Sequence, residues 1–227
     1  MKKQKHVLVI FPHPDDEAFG VSGTIAHYVQ NDVPVTYACL TLGEMGRNLG
    51  NPPFTTRESL PDIRKQELQQ AAIEMGISDL RMLGYRDKTI EFEAPGKLKN
   101  EIVALIEELQ PSLVISFYPG YAVHPDHDAT GEAVVAALES LSVEKQPVLH
   151  AIAFSNGHEA EIGAADVVND VTPYAQIKLD TLRAHASQLA WTLPSLEKAY
   201  HEGNEEAVTR LTNEHFWTYP LKASTTN

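Results

Sequence analysis

Short apolar, β-branched runs alternate along the chain with longer stretches in which apolar residues recur at helical spacing. Residues 6–11 (HVLVIF), 34–42 (PVTYACLTL), 80–85, 113–118 (LVISFY), 148–155 and 166–171 read as strands. Their near-continuous apolar character predicts strands covered on both faces. Residues 17–30, 57–76, 97–110, 127–141, 173–188 and 194–215 read as helices. Within them Ile102, Leu105, Ile106 and Leu109 carry the i, i+3, i+4, i+7 spacing of one buried stripe. Such alternation predicts an α/β fold: one domain over residues 1–227, a mostly parallel sheet with helices on both faces, and frayed ends at 1–5 and 223–227. Residues 43–56 fit neither period. Seven of these 14 are Gly, Pro or Asn, and a loop this long in a compact domain predicts a lid over a site.

Composition narrows the function classes. Hydrophobic residues at 43% and charged residues at 22% exclude collagen, coiled coil and wholesale disorder. No apolar run approaches the ~20 residues that span a bilayer. The basic residues at 2–5 lead into an apolar run that breaks at Pro12 and meets Asp15, Asp16 and Glu17, unlike a signal peptide. With one cysteine, Cys39, no internal disulfide can form, and a cytoplasmic protein is expected. A net charge of −13 argues against nucleic-acid or membrane partners and leaves self-association open. Five of the seven arginines nevertheless fall between Glu44 and Lys88. They form either a solvated mixed-charge face or a local site for an anionic group.

Candidate chemistry sits where two predicted strands end. The first runs into Pro12-His13-Pro14-Asp15-Asp16-Glu17, the fourth through a short turn into His124-Pro125-Asp126-His127. Ligands bind open α/β sheets at the carboxyl ends of the strands, so three imidazoles and four carboxylates are expected on one rim. Alone, the first cluster could merely favour a helix dipole and the second could be a surface turn. Together they resemble a metal site. His13 and Asp16, three apart, can face one ion, and either His124 or His127 can complete the set. Without a thiolate, an open catalytic zinc site with water in the fourth position fits better than a structural one. Magnesium would have little use for the histidines.

These two motifs resemble the signature of the LmbE-like/PIG-L family of zinc-dependent deacetylases. Weaker likenesses follow at Thr41-Leu42-Gly43-Glu44, Arg64-x-x-Glu67-Leu68, Gly84-Tyr85-Arg86-Asp87 and 183–188 (RAHASQ), covering about residues 6–190. The resemblance implies a Rossmann-like sheet and one Zn2+ held by His13, Asp16 and His127. It implies Asp15 as general base, His124 as oxyanion donor and Asp126 as the carboxylate that orients an imidazole and keeps His124 charged. Arg64 and Asp87 match positions that bind sugar hydroxyls. Some relatives carry a tyrosine where this chain has Ala122, and Tyr121 lies one place off. The implied substrate is a small N-acetylated sugar. The acidic chain, its arginine-rich segment and the absent membrane anchor point to N-acetylglucosaminyl malate of bacillithiol biosynthesis, with Arg47 and Arg57 free to meet an anionic aglycone. The rival readings are a metal-binding receiver-like module and a glycosidase using Asp15 and Asp126 as paired carboxylates.

Overall fold

A computed structural model describes residues 1–222. The frayed end expected at 223–227 lies outside the described residues. Residues 1–5 form no regular element, although the Lys5 amide and the Gln4 side chain are both bonded to Ser112.

Five parallel strands lie adjacent in one sheet: β1 (Val7–Phe11), β2 (Val35–Cys39), β3 (Asp79–Met82), β4 (Leu113–Phe117) and β5 (Val148–Ile152). Two more, β6 (Val167–Asp170) and β7 (Asn213–Thr218), complete the order β3-β2-β1-β4-β5-β7-β6. The run in β1 is apolar throughout because each face has its own core. Val7, Val9 and Phe11 pack with Ile25, Leu68 and Met75 on one side; Leu8 and Ile10 pack with Ile102, Ile106 and Leu138 on the other. The helices supplying these residues are α2 (Ser22–Gln30), α3 (Leu60–Met75), α4 (Lys97–Leu109) and α5 (Pro125–Glu139), while short α1 (Asp16–Gly20) leads into α2. Short α6 (His158–Ile162) follows β5. Helices α7 (Ala175–Ala184), α8 (Ala186–Leu189), α9 (Leu193–His201) and α10 (Glu205–Thr212) precede β7.

The stretch 194–215, read from sequence as one helix, is in fact two helices and the start of a strand. Gly203, at φ 75°, ends the first helix region, and the Asn204 side chain caps the second by accepting from Ala207 N–H at 3.1 Å. Strand β7 runs antiparallel to both β5 and β6. Its Glu214 defeated the helical reading because a carboxylate is unexpected in a core. Here it accepts from the N–H groups of Gly23 and Thr24 and pairs with buried Lys178 at 2.6 Å. Breaking such a pair leaves an uncompensated buried charge. Lys178→Met is therefore expected to lower unfolding free energy by ~3–5 kcal/mol in urea titration.

From β1 the chain winds to one side through β2 and β3, and from β4 to the other through β5. The reversal lies between β1 and β4. Both expected motifs leave the carboxyl ends of these two strands, which opens a crevice between them.

Candidate metal and substrate site

The β1 loop is bent sharply. Asp15 lies in the left-handed region at φ 105°, where Asp is better tolerated than most residues. Three contacts hold it there. Its N–H donates to Glu17 Oε2 at 3.1 Å, and the Arg64 guanidinium donates to its Oδ2 at 3.0 Å and to the Pro14 carbonyl. Arg64 also donates to the Gly43 carbonyl at 2.9 Å, joining this loop to residues 43–56. A Cβ at Gly43 would stand 1.7 Å from the guanidinium, so glycine is required both by φ and by space.

Three groups then converge. His13 Nδ1 lies 3.1 Å from His127 Nε2 and 3.5 Å from Asp16 Oδ2, and His127 Nε2 lies 3.3 Å from Asp16 Oδ1. A tetrahedral ion with bonds of about 2.0–2.2 Å separates its ligand atoms by about 3.3–3.6 Å, near the 3.1 Å between the two imidazole nitrogens and the 3.3 and 3.5 Å from each to one or the other oxygen of Asp16. The partners of the opposite ring nitrogens assign the tautomers. His13 Nε2–H faces Asp87 Oδ1 and Asp126 Oδ2, each at 3.2 Å, while His127 Nδ1–H donates to the Ala122 carbonyl at 2.9 Å. Both lone pairs thus turn inward, as supporting carboxylates and carbonyls commonly arrange for ligating histidines. The His127 ring also stacks on Phe117 at 4.1 Å. His13 with His124 and His127 forms a second close grouping, and His13 with Asp87 and Asp126 a third, the last using the nitrogen that faces away.

The electrostatics favour positive charge. Burial works against charging His13 and His127, but the carboxylates outweigh it and raise both above the usual range; for His127 the carboxylate is Asp16. Burial likewise opposes ionised Asp16, yet His127 and His13 hold it well below the usual range. A site that retains protons on imidazoles among carboxylates is one where a divalent cation can replace them.

The Asp126 carboxylate makes no hydrogen bond to His124, although its charge works to raise the His124 pKa. It is fully buried, faces His13, and accepts from the N–H groups of Lys88 at 2.6 Å and Ile90 at 3.2 Å. His124 caps α5 instead, its Nδ1 accepting from Asp126 N–H at 3.1 Å. Burial and then the neighbouring imidazoles His13 and His127 lower its pKa against the opposing charges of Asp126 and Asp87, and with Nδ1 accepting, Nε2 is the nitrogen left to carry a proton.

A cleft of about 320 Å3 opens above these groups, with Asp15, Arg64, Asp87 and His124 on its walls and Arg47 and Lys88 among its cations. Arg57 lies outside it and donates to the Gly46 carbonyl at 2.6 Å, so it buttresses the loop. Tyr121 also lies outside, its hydroxyl on Glu161 at 3.0 Å. Asp87 accepts from Met45 N–H at 2.8 Å besides facing His13, and two arms of Arg64 are bonded internally, so both residues build the wall they line. The segment 43–56 is irregular as expected and is clasped to α8: Asn48 and Gln188 exchange side-chain-to-carbonyl bonds, and Gly50 N–H donates to the Ser187 carbonyl.

Sequence reasoning missed the layer beneath. Glu17 is fully buried and accepts from Tyr37 at 2.9 Å while its other oxygen meets His185 at 2.6 Å. The only signals were the Glu that closes the first motif and the His of 183–188. Lys88 was also missed; its φ of 63° and its amide on Asp126 place it at the cleft.

The sheet order, the two loops at its switch point and the donor set define an open α/β protein with a candidate His/Asp metal centre. The PIG-L family model, described as GlcNAc-PI de-N-acetylase, matches residues 8–138. Over 222 residues, 98% of each sequence, the chain is 59% identical to the probable N-acetyl-alpha-D-glucosaminyl L-malate deacetylase 2 of Bacillus anthracis. The N,N'-diacetylchitobiose deacetylase structure from Pyrococcus horikoshii superposes with a TM-score of 0.74 at 23% identity, covering 96% of this chain and 85% of that one. GalB, the 4-carboxy-2-hydroxymuconate hydratase of Pseudomonas putida, superposes nearly as well, with a TM-score of 0.73 at 18% identity over 98% and 100%. Shared architecture therefore does not decide the reaction. The chain belongs to the PIG-L family of de-N-acetylases.

Proposed function

We propose that this protein is a zinc-dependent deacetylase that hydrolyses the acetamide of N-acetylglucosaminyl malate, releasing acetate and a free amine. The observation that carries the reading is the convergence of His13 Nδ1, Asp16 and His127 Nε2 at 3.1–3.5 Å on the floor of a cleft walled by Asp15 and His124. The 59% identity to a protein named for that reaction supports the substrate. His13, Asp16 and His127 would hold zinc, which supplies Lewis acidity and lowers the pKa of water. Asp15 takes a proton from the attacking water and returns it to the departing amine. Its backbone is left-handed and its carboxylate is held by Arg64. His124 donates through Nε2–H to the developing oxyanion. Asp87 and Asp126 fix the His13 tautomer. No described helix is long and apolar enough to cross a membrane, and a cytoplasmic enzyme is the accompanying proposal.

The rival readings lose support at particular residues. In a receiver-like module Asp87 would be a free phosphoacceptor, but it is buried against His13 and Met45. In a glycosidase Asp126 would face substrate, but it lies under His13 with no exposure. Purified zinc-loaded protein should release acetate and primary amine from the malyl glycoside; a reducing sugar without amine would reject the reading. Arg47 lines the cleft, so Arg47→Ala should lower kcat/KM for the malyl glycoside by about tenfold more than for the methyl glycoside, as for a lost charge-assisted contact. An equal fall for both would return Arg47 to the solvated surface.

A further inference from the structure

A second cavity, of about 440 Å3, meets the same chemistry from the other side. Asp15, Asp16 and His127 line both it and the polar cleft. The cleft is walled by Arg47, Lys88 and Gln188, whereas the second cavity is walled by Phe19, Phe117, Phe154 and Ile152 with Arg210 as its one cation among the described residues. The Arg210 guanidinium lies over the Phe19 ring at 5.5 Å and makes no hydrogen bond or ion pair among the described residues. Arg183, the other arginine outside the 44–88 region, is paired with Asp180 and Glu197.

Amide hydrolysis divides a substrate in two. The C–N bond breaks, the water oxygen joins the acyl carbon, and the products at neutral pH are an ammonium on the sugar and a free acetate. The halves extend in opposite directions from the reacting carbon, which must stand beside Asp15, Asp16 and His127. The polar cleft suits the sugar half, rich in hydroxyls and carboxylates. The apolar cavity suits a methyl group, and the cation on its wall beside Phe19 suits the carboxylate made in the reaction. We infer that the cavity bounded by Phe19, Phe154 and Arg210 is a subsite for the acyl half and the route by which acetate leaves, so that acetate need not wait for the amine product to vacate the cleft. The inference rests on the deacetylase reading.

Binding of [13C]acetate to zinc-loaded protein, followed by NMR line broadening, tests the subsite without turnover. Arg210→Glu should weaken acetate binding by about tenfold and Arg210→Gln by less, as for loss of a charge-assisted pair. Arg47→Ala should leave acetate affinity unchanged. Saturating glucosaminyl malate should not slow acetate exchange. Acetate affinity indifferent to Arg210, or equally sensitive to Arg47, would overturn the inference, as would trapping of acetate by the amine product. Failure of the wild type to release acetate from the glycoside would instead overturn the deacetylase reading, and the two failures are read in separate experiments.

Discussion

His127→Ala is expected to strip the protein of its metal while leaving its fold intact. His127 Nε2 lies 3.1 Å from His13 Nδ1 and 3.3 Å from Asp16 Oδ1, and its inward lone pair is fixed by the bond from Nδ1–H to the Ala122 carbonyl. Removing a group that merely supports a ligand typically costs 10–100-fold in metal affinity, so removing the ligand should cost more than about 100-fold. The fold should persist because His127 lies in the first turn of α5, outside both sheet cores, and its ring is a partner of Phe117 alone among buried strand residues. Zinc content after dialysis, measured by elemental analysis, and far-ultraviolet circular dichroism check the two halves. Full zinc occupancy would reject His127 as a ligand. Loss of the circular dichroism signal would show a structural role instead.

Asp15→Asn should do the reverse, keeping the metal and losing the reaction. The amide retains the size of the carboxylate but cannot accept the proton, and removal of a general base costs at least about 10² in kcat. The pH dependence follows from burial, which raises the Asp15 carboxyl to about 6 against the lowering effect of Arg64. A base works when ionised, so wild-type activity should rise with pH through this range and level above it. A cation bound at Asp16 would favour the ionised form and move this limb to lower pH, never higher. Normal zinc with normal kcat in the variant would exclude Asp15 as base. An acid limb well above pH 6 in the wild type would assign it to another group.

Both predictions draw on residues that stood out in the sequence. The two motifs were legible because polar clusters that interrupt apolar strands have few structural uses, and because strand-end placement follows from the α/β alternation itself. The parallel strands were legible for the same reason: Leu8 and Val9 face different cores, so both must be apolar. What stayed hidden was set by partners far along the chain. Glu214 reads as helix surface until Lys178 and two amides surround it. Asp126 reads as a partner for its neighbour His124 until His13, 113 residues away, takes its carboxylate. Arg57 and Arg47 are alike in composition and neighbourhood, and only the course of the 43–56 backbone turns one to Gly46 and leaves the other at the cleft. Local pattern reports which face a side chain occupies; it does not report which remote group awaits it.

The place of β7 in the sheet bears on how the molecule can be assembled during synthesis. Among the described residues strand β6 pairs with β7 alone, although some forty residues, mostly helix, separate them in sequence. A nascent chain that has already paired β1 through β5 therefore carries β6 as an unpaired edge until residues 213–218 emerge. Over the same interval Lys178 has no Glu214 to neutralise it, which disfavours early burial of α7 against the sheet. Ribosome-bound intermediates should consequently hold a paired β1–β5 half beside an undocked C-terminal third, with Glu17 of the first metal-cluster loop still awaiting His185. That open edge is the part of the molecule for which a chaperone would have the most to cover.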